Sequence, residues 1–290
     1  MPNKVNQMKT IAFPDVVRIE PASACNLSCV HCPTGTVKPA NRGIMSQKTF
    51  SVIMANLEHK LPRVVVMYHG GEPMLCIDVW NWIKVLKMMG VKYIKTVTNG
   101  TLLYDESIKG ILTSGLDAIE FSIDGKSPEE NDTIRRGSNC QEIIGNIKEL
   151  VEFKRLSDSK LPEIYISNVQ LKNHVNSDVP ETPEFLVKEF GESVMYKNTY
   201  AIKWPGLPSS LNKRPQILEK GYCPHLFETI TIRWNGDVVP CCYDIMSEYV
   251  IGNIHENSLE EIWNNERYHN IRKGIETGHP VEICGGCFEY

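Results

Sequence analysis

Three cysteines stand close together in the segment Ala24-Cys25-Asn26-Leu27-Ser28-Cys29-Val30-His31-Cys32-Pro33, with the spacing C-x3-C-x2-C. Thiolates so spaced can do redox chemistry or hold metal. A dithiol pair at Cys29 and Cys32 has no use for Cys25. A zinc ion needs a fourth ligand, and His31 stands directly beside Cys32, which makes joint ligation awkward. A [4Fe–4S] cluster takes all three thiolates and leaves one iron open, as a catalytic zinc keeps one position for chemistry. These residues alone leave the dithiol, zinc and cluster readings open.

Four more cysteines lie in the C-terminal third: Cys223, Cys241, Cys284 and Cys287, with Cys242 beside the second. Four thiolates suit a second iron–sulfur cluster or a structural zinc. Neighbouring side chains on a strand face opposite ways, so Cys242 reads as a non-ligand with a free thiol. Cys76 and Cys140 stand alone and read as small buried residues.

The elements that must position these groups alternate along the first two-thirds of the chain. β-Branched runs recur at Val16–Ile19, Val64–Met67, Tyr93–Thr98, Ala118–Ile123, Ile164–Val169 and Val194–Tyr196. Between them the apolar spacing is helical. Phe50, Ile53, Met54 and Leu57 fall at i, i+3, i+4 and i+7, with Ser46 as the N-cap. Val79–Met89, Ser107–Leu112 and Glu142–Phe153 read similarly, and Trp80, Trp82, Met88 and Met89 on the second of these helices read as core. Glu129, Glu130 and Asp132 read as a solvated loop. Six strands alternating with helices imply an α/β fold with a parallel sheet, open or barrel-like. Such folds carry their active site at the C-terminal ends of the strands, where Cys25, Cys29 and Cys32 fall.

The texture changes near Trp204. Trp204–Pro215, with its prolines, glycine and serines, reads as a linker. Beyond it Glu228–Arg233 and Val238–Val239 flank Trp234-Asn235-Gly236-Asp237, a hairpin signal. Ser258 and Glu261 form a capping box for a last helix, expected to run to about Gly274. Domains at 1–204 and 205–290 follow. The net charge of −4 argues against a nucleic-acid partner. The stretch MPNKVNQMKT lacks an apolar signal core, and no apolar run nears the roughly 18 residues of a bilayer span. A cytoplasmic protein is expected, without a membrane partner, and its ten cysteines then belong to metal or catalysis rather than to disulfides.

The cysteine motif after the first strand resembles the signature of the radical S-adenosylmethionine (radical SAM) superfamily. The resemblance implies that the open iron binds the amino and carboxylate groups of SAM. Gly70-Gly71-Glu72-Pro73, after the second strand, resembles that family's GGE motif, which implies a close backbone approach to the methionyl amino group. Thr98-Asn99-Gly100 and Ser122-Ile123-Asp124-Gly125 end the third and fourth strands. They are similar to segments that contact the SAM ribose and carboxylate, so Asn99, Ser122 and Asp124 are expected at the cofactor. Arg135 or Arg136 stands where relatives place a carboxylate-binding arginine. His31 retains the flat ring that relatives carry before the last cysteine. The match covers roughly residues 14–200 and implies a partial (β/α)6 barrel.

The second cysteine set resembles the SPASM/twitch auxiliary-cluster domains. Cys223, Gly236 and Cys241 stand at the opening spacing, followed by Cys242-Tyr243-Asp244, Gly252-Asn253-Ile254, Leu259 and Ile262-Trp263. A full SPASM domain uses about seven cysteines for two clusters. Here Cys223, Cys241, Cys284 and Cys287 imply one auxiliary [4Fe–4S] cluster.

The chemistry so implied is reductive cleavage of SAM to a 5′-deoxyadenosyl radical, which abstracts hydrogen from a substrate. It requires an electron donor such as flavodoxin or ferredoxin, and oxygen sensitivity is expected. Three outcomes differ in the second step. A secondary alcohol of a sugar or aminocyclitol is oxidised, with the auxiliary cluster as electron acceptor. Or a substrate is epimerised with Cys242 as hydrogen donor. Or a peptide or protein is modified, against which stand the mere 24 residues before Cys25 and no visible peptide-recognition domain. Tyr68, His69, Asn168, Lys197 and Trp204 are expected pocket members.

Overall fold

Six strands pair in parallel in the order in which they occur along the chain. In the computed structural model, which describes residues 10–38, 41–171, 180–204, 221–285 and 287, they are β1 (Val16–Ile19), β2 (Val64–Val66), β3 (Tyr93–Thr98), β4 (Ala118–Ser122), β5 (Glu163–Gln170) and β6 (Met195–Tyr200). Each pairs with its successor. Helices α1 (Gln47–Leu57), α2 (Val79–Met89), α3 (Asp105–Thr113), α4 (Pro128–Ile134), α5 (Cys140–Leu156) and α6 (Glu184–Phe190) lie between them. Alternate strand residues such as Val17, Ile19, Ile94, Ile119, Phe121 and Ile166 are buried with the apolar stripes of the helices in one core. Residues of the opposite parity include Arg18, Lys95, Glu120, Tyr165 and Lys197. A parallel sheet is ordinarily apolar on both faces, so a polar second face marks a working cavity.

The C-terminal hairpin joins this sheet. β7 (Thr229–Ile232) pairs in parallel with β1. β8 (Asp237–Val239) pairs antiparallel with β7, and β9 (Gly252–Asn253) with β8. The order is β9-β8-β7-β1-β2-β3-β4-β5-β6 among the described residues. The cysteine-rich segment therefore shares one sheet with the barrel strands. The proposed boundary at 204/205 and most of the linker Trp204–Pro215 lie outside the described residues.

Three local expectations are corrected. The helix opened by Ser258 has its capping box, yet it stops at Trp263 as α7 (Leu259–Trp263). Asn265 then caps a separate α8 (Glu266–Thr277), accepting from the Tyr268 amide. The acidic stretch is helical: Ser127 caps α4, Pro128 occupies its first position, and Glu129 and Glu130 sit exposed in its first turn. Met88 is 78% exposed and takes no part in the core, whereas Trp82 is buried. Ser46 caps α1 as expected, accepting from the Thr49 amide at 3.1 Å. Cys76 and Cys140 are buried.

Candidate functional site

The loops leaving the C-terminal ends of β1 to β4 converge on a cleft lined by Cys25, Cys29 and Cys32. The cysteine loop is held from two sides. Ser28–Cys29 pairs with Arg135–Arg136 in a short antiparallel ribbon. A helical turn, Pro33–Thr36, starts directly after Cys32. Its Gly35 packs so close that a Cβ there would meet the Cys29 amide nitrogen at 2.6 Å. The Cys25 sulfur accepts from the Leu27 amide at 3.5 Å and from Asn99 Nδ2 at 3.8 Å. Burial pushes the Cys25 thiol up and the Cys29 thiol to about 11, with the Arg135 guanidinium pulling the other way. Only a cationic guest would convert such thiols to thiolates at neutral pH.

Among the described residues no three His, Cys, Asp or Glu side chains converge on a position for a single ion. A zinc ion would draw its sulfurs to about 2.3 Å from one centre. Three thiols on the cleft and four in the C-terminal segment are donor sets that four-iron clusters take, one thiolate per iron.

The glycine loop lies against the cysteine loop. A Cβ on Gly71 would stand 2.2 Å from the Ala24 carbonyl oxygen and 2.5 Å from that of Ala22. The Glu72 amide donates to the Ala24 carbonyl at 2.8 Å, and the Thr34 hydroxyl donates to the Gly70 carbonyl. The Glu72 carboxylate is buried and already engaged. It accepts from the Asn99 amide at 2.7 Å, the Thr98 hydroxyl at 2.8 Å and the Met74 amide at 3.0 Å. Glu72 thus braces the glycine loop on the end of β3. Burial raises its carboxyl, and these donors lower it.

The expected cofactor contacts divide in two. Gly70, Gly71, Glu72, Asn99, Ser122 and Arg135 line the cleft. Pro73, Asp124 and Arg136 are not on it. Pro73 starts a buried 3-10 turn, and Arg136 is exposed on the far side of the ribbon. Asp124 is fully buried and accepts from Arg135 Nη1 at 2.8 Å and the Val169 amide at 3.0 Å. It therefore aims Arg135 rather than meeting the cleft itself. Arg135 lines the cleft, and its Nε is a buried donor without a hydrogen-bond partner. The cleft has a cavity volume of about 200 Å³.

Of the other expected pocket members, Tyr68, His69 and Trp204 line this cleft. Asn168 does not: its amide donates to the carbonyls of Ile123 and Gly125, both at 2.8 Å. Lys197 pairs with Glu120 at 2.6 Å. The residue that sequence reasoning missed is Glu20, at the end of β1. One carboxylate oxygen accepts from the Gly70 amide at 3.0 Å; the other accepts from Arg233 Nε at 2.8 Å and the Trp234 amide at 3.2 Å. It ties the glycine loop to the C-terminal hairpin. A lone carboxylate ending an apolar strand was its only signal.

Cys223, Cys241, Cys284 and Cys287 are all buried and lie within electrostatic reach of one another. Burial pushes Cys284 to about 12 and Cys287 to about 11. Cys242 is half-buried, 3.7 Å from His225 Nε2, and is not on the cleft. The segment after it reaches the cleft: Ile245 lines the wall, and Tyr243 meets Trp204 edge-on at 5.6 Å between ring centroids. Trp204 Nε1 donates to the His31 carbonyl at 2.9 Å. The first cysteine set lines the cavity, and the chain that follows Cys241 reaches its wall at Ile245.

Comparison with known proteins adds the following. A family model described as the radical SAM superfamily matches residues 19–159. One described as an iron–sulfur cluster-binding domain, SPASM, matches residues 223–288. The chain is 26% identical to the tungsten-containing aldehyde ferredoxin oxidoreductase cofactor-modifying protein of Pyrococcus furiosus, over 93% of this chain and 86% of that one. It is 22% identical to the S-adenosyl-L-methionine-dependent 2-deoxy-scyllo-inosamine dehydrogenase of Niallia circulans, over 94% and 92%. Among solved structures, BtrN in complex with AdoMet and 2-DOIA superposes with a TM-score of 0.61 at 17% identity, over 93% and 89% of the two chains. Streptococcus suis SuiB bound to precursor peptide SuiA does so with a TM-score of 0.70 at 16%, over 94% and 69%.

Proposed function

The chain belongs to the radical SAM superfamily and carries a C-terminal SPASM domain, and from that premise we propose that it oxidises a secondary alcohol of a sugar or aminocyclitol. Its cofactors are SAM and [4Fe–4S] clusters. Cys25, Cys29 and Cys32 would hold the first cluster, and Cys223, Cys241, Cys284 and Cys287 the auxiliary one. When bound, SAM and the clusters supply a 5′-deoxyadenosyl radical that removes one hydrogen atom and an auxiliary acceptor for the remaining electron, the alcohol proton leaving to the protein.

The chain's own residues do the rest. Gly70 and Gly71 present bare backbone to the methionyl end of SAM. Arg135, aimed by Asp124, offers its unpartnered guanidinium edge to the SAM carboxylate. Asn99 and Ser122, which line the cleft, would hold the ribose. Trp204, Tyr243 and Ile245 close the cleft wall against water.

One observation carries the oxidative reading: the segment Cys241–Ile245 runs from the auxiliary set into the wall of the SAM cleft. An electron leaving a substrate there has a short protein path to the second cluster. The likeness to an aminocyclitol dehydrogenase over nearly the whole of both chains supports the same reading. Anaerobic turnover tests it. Oxidation gives 5′-deoxyadenosine and product in equal amounts, the product lighter by two hydrogens. A product of unchanged mass that gains deuterium from deuterium oxide refutes oxidation and supports epimerisation. Cys242→Ala is expected to keep full turnover, measured by 5′-deoxyadenosine release, because Cys242 lies off the cleft; loss of product without loss of cluster iron would restore it as the hydrogen donor.

A further inference from the structure

Two cations share the concave face of the sheet beneath the cleft. The register sets Arg18 of β1 beside Val66 of β2, and Val66 beside Lys95 of β3, so both side chains start from one row. Two residues beyond Val66 and Lys95, Tyr68 and Val97 line the cleft. The Arg18 guanidinium reaches into that upper row and lies 5.1 Å from the centroid of the Tyr68 ring. Arg18 is only 9% exposed, and its Nε has no hydrogen-bond partner.

Neither cation has a carboxylate among the described ion pairs. Glu120, which pulls on Lys95, is committed to Lys197 at 2.6 Å, and that ammonium also lies 3.9 Å from the centroid of the Tyr165 ring; Glu20, two residues beyond Arg18, is committed to Arg233 at 2.8 Å. Around Arg18 stand Tyr68, Cys241, Cys242 and His225. Burial and the neighbouring Lys197 and Arg18 charges depress the Lys95 ammonium, against the pull of Glu120. Arg18 is buried and Lys95 half-buried, and buried cations without a carboxylate are costly to fold. They persist where the anion arrives with a ligand.

We propose that Arg18 and Lys95, one row below the side chains that line the cleft, form an anion subsite that binds a carboxylate or phosphate of a hydroxylated substrate. This rests on the alcohol oxidation proposed above and narrows its substrate to an anionic polyol, a sugar acid or a sugar phosphate. The ammonium of an aminocyclitol would meet like charge there. The competing use of Arg18 is to offset the charge of the auxiliary cluster at Cys241. Lys95, on the third strand of the row, separates the two.

The test is calorimetric titration of the anaerobically reconstituted holoenzyme, with SAM and without reductant, using glucuronate, glucose 6-phosphate, glucosamine and myo-inositol. At least one anionic ligand is expected to bind tenfold or more tighter than the neutral and cationic ones. Which of the two it is tells carboxylate from phosphate. Arg18→Gln and Lys95→Met are each expected to erase that preference, and Arg18→Lys to restore part of it. Equal or absent binding of the four overturns the subsite. So does an anion preference that survives Lys95→Met while Arg18→Gln alters only the electron paramagnetic resonance signal of the auxiliary cluster. If a bound anionic polyol keeps its mass after reductant is added, the oxidation reading fails while the subsite stands. If glucosamine or myo-inositol is oxidised equally well by wild type and Arg18→Gln, the subsite fails while the oxidation reading stands.

Discussion

Two kinds of buried side chain dominate the site: thiols held above their usual range by burial, and donors left without acceptors. The thiols are neutral small side chains until a cationic cluster draws off their protons, and the donors are destabilising until an anionic ligand arrives. Reconstituted protein is expected to hold about eight irons, four per cluster. Cys25→Ala and Cys284→Ala should each lower that to about four, read by iron analysis. An iron value near four with one zinc in the wild type would refute the auxiliary cluster. His69 gives a pH signature. Burial, with the Arg233 and Arg18 cations, holds its ring well below the ordinary histidine range. The unfolded chain then takes up a proton first as pH falls through about 6.5. The stability contributed by neutral His69 is present above that value and is lost below it. Relative to His69→Gln, wild type should lose up to about 1.4 kcal/mol per pH unit below 6.5, measured by denaturant unfolding.

At the scale of elements, the site depends on loop against loop rather than helix against sheet. The Gly70–Gly71 turn meets the cysteine loop backbone to backbone, and a methyl group at Gly71 would strike two carbonyl oxygens. Backbone cannot swing aside as a flexible side chain can. Gly71→Ala is expected to weaken SAM binding at least tenfold, read by equilibrium dialysis, while circular dichroism shows the barrel helices retained. The turn's signal was legible in the sequence as Gly-Gly-Glu-Pro after a β-branched run. The role of Glu72 was not, because its partners Thr98 and Asn99 come from the next strand. The split of the last helix into α7 and α8 was likewise hidden. Asn264 and Asn265 are compatible with a helix interior until packing decides between continuing and capping again.

At the scale of the whole molecule, the C-terminal hairpin completes the sheet through β7 on β1 and locks there by the pair Glu20–Arg233, both almost fully buried. Removing one member leaves a buried charge unpaired, which costs about 3–5 kcal/mol. Arg233→Met is expected to lower the denaturation midpoint of the reconstituted protein accordingly. Because Glu20 also accepts from the Gly70 amide, the same variant should loosen SAM. Unchanged stability would show that the hairpin docks by its apolar face alone.

The sequence by itself determined the parts whose spacing is local: the three-thiol loop, the glycine turn, the strand-and-helix alternation, the hairpin and its second cysteine set. Their chemistry depends on residues a few positions apart, so covalent connectivity already places them. The tertiary structure decided what lies between distant segments. It set Arg135 on the cleft, turned onto Asp124, and Arg136 in solvent. It withdrew Asn168, Asp124 and Pro73 from the cleft, brought Ile245 into its wall, and set Glu20 and Arg233 behind the glycine loop. It also set Arg18 and Lys95 in one row. Those choices follow from strand register and burial, which sum interactions across more than two hundred residues and leave no local trace in the chain.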